Sequence, residues 1–244
     1  AATRPDNVLV SYGDGYAFGA IGAGSRLETS GTLHNYAGFN VIGALENTGT
    51  LEQKFIDSGL AGHDRTLKVG SFMDGVVSRF DNFGSATFEG GTRLLVDATN
   101  FPFTPRLVNT AVVQNNGSIV LRPGAWLQTT GSGEFRNGIN GVVDVGGDVP
   151  MVAGEQAAQV LVAGFAAYAN GAGARTIVRA GAVFDATQFA SGGGMVNNSG
   201  VFSVTGTLRN KEFDNGGSLG VEGLFSGGTV TGTGSTRVRD GGVV

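Results

Sequence analysis

The chain contains no cysteine. Disulfide staples, thiolate nucleophiles and thiolate metal sites are therefore excluded together, although the compartment is not fixed by that alone. Histidine is nearly as scarce, with only His34 and His63, and two imidazoles make no metal cluster. Lysine and arginine number 16 against 20 acidic residues, a formal net charge of −4, so no basic field for nucleic acid exists. No apolar run reaches the roughly 18 to 20 residues that a membrane-crossing helix needs. GxSxG, P-loop and HExxH signatures are missing too, and the sequence offers no catalytic, cofactor-binding or metal-ligating residue on those grounds.

Glycine is what the chain has in excess, 44 of 244 residues beside only 5 prolines. Without a strict three-residue period this is not collagen, and the glycines must punctuate turns. With 41% apolar residues the chain can still fill a core.

The distribution of those residues is repetitive. Residues 33–52, LHNYAGFNVIGALENTGTLE, state one phrase twice: an apolar residue, a variable one, Asn, one or two residues, Gly, then alternating apolar and polar positions. It reads as turn, then strand. The phrase returns at 80–90, 113–124, 135–146 and 196–206, with a looser copy at 208–223. The period of two predicts that Leu33, Phe39, Val41, Leu45, Leu51, Phe88, Ile119, Leu121, Val143, Phe202 and Val204 point inward.

Asn35, Asn47, Asn82, Asn116, Asn137, Asn198 and Asn215 open the turns. Asparagine accepts left-handed backbone angles more easily than other non-glycine residues, so these are expected to be structural turn residues.

Strands of four or five residues bury little alone. Stacked in coils roughly 4.8 Å apart they pair every backbone group along an axis. The expectation is an all-β, single-domain parallel β-helix (β-solenoid) over 1–244, with coils of roughly 20 residues and on the order of ten rungs. Residues 1–27 would form the opening rung. Looped insertions are expected near 54–68, 98–108 and 147–175. Within the last, Leu161, Phe165 and Tyr168 have helical spacing, interrupted by Gly164. The competing fold is a pair of β-sandwiches joined near 147–175.

The NxG turns followed by alternating strands, LENTGTLEQ, VQNNGSIVLRPG and VNNSGVFSVTGT, resemble the passenger regions of bacterial autotransporters and filamentous-haemagglutinin-like surface β-helix proteins. The resemblance covers most of residues 27–223. It implies a right-handed parallel β-helix and a surface or extracellular setting, and it brings no catalytic residues with it.

Chemistry on such a scaffold has few candidates. His63 lies beside Asp57, Ser58 and Asp64, a set that invites a nucleophile–base reading but is also an ordinary polar loop. Asp97 and Asp185 occupy similar decapeptides and would lie several coils apart, too far for a hydrolytic pair. Asp144 and Asp148 are separated by a Gly-Gly turn that explains the second as a corner residue. GGTRLLVDA falls short of a tandem calcium repeat. The threonines of 228–238 form one stretch, not a water-ordering array.

The function expected from these observations is a secreted bacterial structural or adhesive element of the cell surface. Val8, Leu9, Val10, Val243 and Val244 sit in strand-like ends that fit head-to-tail stacking on copies of the same chain, donation of a terminal strand to a neighbour, or a fragment of a longer passenger, with self-assembly favoured. The small residues Ala1 and Ala2 fit the product of signal cleavage. Surface glycans or host and matrix proteins are further expected partners. The alternative is a carbohydrate-active β-helix, a polysaccharide lyase, glycosidase or tail-spike-like depolymerase.

Overall fold

The structure is a computed structural model; it describes residues 9–11, 19–36, 38–54, 65–70, 77–98, 110–147, 149–187 and 194–239. Every secondary-structure element among them is a β-strand, and every strand pairing is parallel. The chain is a parallel β-helix, and the paired-sandwich alternative, which requires antiparallel sheets, is overturned.

Three faces wind around one core. The first is a ten-stranded sheet that runs from Leu9–Ser11 through Ser118–Leu121 to Ser235–Val238 in strict chain order, one strand per rung. The second face carries strands such as Arg93–Ala98, Trp126–Gly131 and Gln159–Val162, and the third carries Val77–Asn82, Thr110–Asn115 and Glu134–Asn137. These two faces join in one sheet because the strand Thr207–Asn215 runs through the corner. Its first half pairs with Val183–Ala186 and its second with Met195–Asn198. Residues 1–27 supply the first strands of two faces, Leu9–Ser11 and Gly19–Ile21, and the start of the third, Arg26–Thr29.

The alternation read from sequence sets the register. Leu33, Val41, Leu45, Leu51, Phe88, Ile119, Leu121, Val143, Phe202 and Val204 are buried, whereas Phe39 is only partly so. Phe39 pairs with Gly19, a residue with no side chain to cover it. Down the centre run stacked and edge-on rings: Phe135 on Tyr168 at 5.1 Å between centroids, Tyr168 against Phe184 at 4.9 Å, and Phe202 against Phe213 at 5.3 Å. Burying each such side chain contributes about 1.5–3 kcal/mol.

Two expectations need correction. The helical spacing in 154–169 does not make a helix: Gln159–Val162 and Ala167–Asn170 are strands joined by a turn at Gly164, whose φ is 72°. Val160, Val162 and Tyr168 point inward while Phe165 sits exposed on the turn, so the spacing of the large residues crosses two strands. The irregular stretch shrinks to the corner before Gln159. Likewise, Thr66–Val69, at the end of the expected 54–68 loop, is a strand of the second face. Residues 55–64 and 99–109 lie outside the described residues.

Candidate functional site

From Asn47 to Asn215, an asparagine closes each third-face strand and turns its side chain into the core. Asn47, Asn82, Asn115, Asn137, Asn170, Asn198 and Asn215 occupy equivalent registers on successive rungs. From Asn47 to Asn198, each Nδ2 donates to the Oδ1 of the next asparagine at 2.7–2.9 Å. The same Nδ2 groups also donate to a backbone carbonyl one rung on, as Asn137 does to Arg175. Buried amides are thereby paired along the axis, and aligned bonds of this kind polarise one another.

The ladder corrects the turn assignments. Asn47, Asn82, Asn137, Asn198 and Asn215 belong to it, but at the Asn-Asn doublet the member is Asn115. Asn116 has left the strand, and its Oδ1 accepts from Gln114 Nε2. Asn35 lies on the first face, where its Nδ2 donates to Gln53 Oε1 at 2.8 Å. Asn170 joins the ladder although it is not among the expected turn residues; Tyr168-Ala169-Asn170-Gly171-Ala172-Gly173 fits the repeat phrase, and the inward Tyr168 two residues earlier marks it. Backbone angle is not the reason for asparagine here, because the one described non-glycine residue with positive φ is Asn140. The glycines that follow answer to close approach: a Cβ on Gly84 would lie 2.0 Å from the Gly49 carbonyl oxygen, and one on Gly117 2.1 Å from that of Gly84.

Ladder separations vary from 17 residues, Asn198 to Asn215, to 35, Asn47 to Asn82. A bare rung therefore needs about as many residues as the shorter figure, and longer rungs carry corner loops.

Most of the described outward carboxylates are engaged in ion pairs between or beside rungs. Asp97 meets Lys68 at 3.0 Å and accepts from Thr130. Asp185 accepts from the Thr187 amide and hydroxyl. The two aspartates lie on strands three rungs apart, about 14 Å at a normal strand spacing, and in different registers: Asp97 aligns with Thr130, Asp185 with Leu161. Arg179 grips Asp144 with two bonds of 2.7 and 2.6 Å. His34 faces outward, its Nδ1 2.6 Å from Glu52 Oε2, and Lys54 Nζ approaches the same oxygen at 2.8 Å. Hydrogen bonding from Lys54, then the charges of Lys54 and His34, hold the Glu52 carboxyl below its usual range against the opposing effect of burial. Asp57, Ser58, His63, Asp64 and Asp148 lie outside the described residues.

At the last described rung the inward register is open. Thr236 and Val238 align with the buried Leu219 and Val221, yet both are exposed, Val238 to 41%. At the opposite end Leu27, aligned with fully buried Leu45, is only partly covered. Leu9 and Val10 lie in the strand that begins the ten-stranded sheet. Val8, Val243 and Val244 lie outside the described residues.

No protein-family model, curated protein or solved structure matches the chain.

Proposed function

We propose that the chain is a secreted, non-enzymatic β-solenoid that stacks end to end with copies of itself into a stiff fibre, serving as a structural or adhesive element at a bacterial surface. The unbroken axial pairing of the ten-stranded sheet, one parallel strand per rung from Leu9–Ser11 to Ser235–Val238, carries this reading. Each rung presents to the next a parallel strand edge of the same register, as Ser218–Val221 does to Ser235–Val238, and an edge of this kind is a template for further pairing. Head-to-tail contacts that do not close generate open filaments. The asparagine ladder supports a mechanical role, since it ties successive rungs through their interior. Asp97 and Asp185, separated by three rungs, do not form the pair of carboxylates within about 5–9.5 Å that a glycosidase uses.

Sedimentation velocity tests the reading. Wild-type protein should form larger species as concentration rises, and Val238→Glu, which places a charge on the exposed end, should stay monomeric with unchanged circular dichroism. A wild-type chain that remains monomeric at high concentration would contradict it.

A further inference from the structure

We propose that the corner cleft beside Trp126 binds the carboxylate-bearing sugar of an acidic oligosaccharide. This rests on the adhesive half of the reading above and is independent of end-to-end stacking, because the cleft opens on the side of the β-helix. Its volume is about 300 Å³, and its walls come from successive rungs: Arg65 and Thr66, Arg93, Trp126, and Gln156. The register aligns Thr66, Arg93 and Trp126 on neighbouring strands.

The Arg93 guanidinium lies over the indole, 5.0 Å from the ring centroid, and makes no ion pair among the described residues. Stacking holds the guanidinium plane while its in-plane N–H donors stay available to a planar carboxylate. The nearest acid in sequence to Gln156, Glu155, accepts from the Val152 amide instead. Apart from the indole, the lining side chains are guanidinium, hydroxyl and amide groups, which favour a hydroxylated anionic ligand over an apolar acid. The volume is at the lower end for ligand clefts and suits a group the size of one sugar ring.

Trp126 is the chain's single tryptophan, so tryptophan emission reports on this cleft alone. Titration of dilute protein with a uronic-acid trisaccharide should give a saturable emission change, and the matching neutral trisaccharide should give none. Arg93→Gln should weaken binding at least tenfold, Arg93→Lys should retain part of it, and both should melt like the wild type. No saturable change, equal binding of the neutral sugar, unaltered binding by Arg93→Gln, or the same change with sodium sulfate would each overturn the proposal. Because the titration uses unassociated protein, its failure is distinct from a failure of fibre formation.

Discussion

Asn137 Nδ2 donates to Asn170 Oδ1 at 2.9 Å, joining residues 33 apart in sequence inside the core. The amide of Asn137 also receives Asn115 Nδ2 and donates to the Arg175 carbonyl. Replacing it by Val or Gly leaves buried groups short of partners, at roughly 1–3 kcal/mol. Urea denaturation should show both variants destabilised. Asn116→Gly, one residue outside the ladder on a neighbouring rung, should lose much less. Gly tolerated at position 137 would mean that the backbone, not the amide, determines the choice of residue.

Tyr168 carries a hydroxyl in the middle of the aromatic stack. It lies 2.8 Å from Thr176 Oγ1, which in turn donates to Asn170 Oδ1. Thr176→Val strands the tyrosine hydroxyl and should cost more, roughly 1–3 kcal/mol, than Tyr168→Phe, roughly 0.5–1.5 kcal/mol. Equal losses would indicate that the hydroxyl gains nothing from Thr176.

Burial raises the ionisation of Tyr168 well above the usual tyrosine value. Its stabilising contribution is complete below about pH 10, the unfolded value, and declines as pH rises beyond it. Melting temperatures of wild type and Tyr168→Phe should converge on the alkaline side; parallel curves would remove this assignment.

Glu52 behaves in the opposite sense. Its lowered carboxyl value gives stability that is complete above about pH 4.5 and lost as pH falls through the folded-state value. Glu52→Gln should flatten the acid limb of the melting curve by up to about 1 kcal/mol, the range of partly exposed ion pairs. Identical acid limbs would show that Lys54 and His34 add nothing through Glu52.

How much of this the sequence disclosed follows from local alternation. Leu45, Leu51, Phe88 and Ile119 could be placed inward because each follows a marked turn and obeys a period of two. At the 115–116 doublet composition is silent, and only counting two residues on from inward Val113 selects Asn115. Residues 159–170 misled because Leu161 and Tyr168 lie on different strands across the Gly164 turn. The cleft at Trp126 was not legible at all: Arg65, Arg93, Trp126 and Gln156 come together through rung stacking, which depends on corner-loop lengths that the repeat phrase does not specify.

X-ray diffraction from a drawn and dried concentrate of the wild-type protein tests the central claim most directly. Strands perpendicular to a continuous fibre axis predict a meridional arc at about 4.8 Å. An isotropic ring at that spacing, from particles that do not align, would contradict end-to-end assembly.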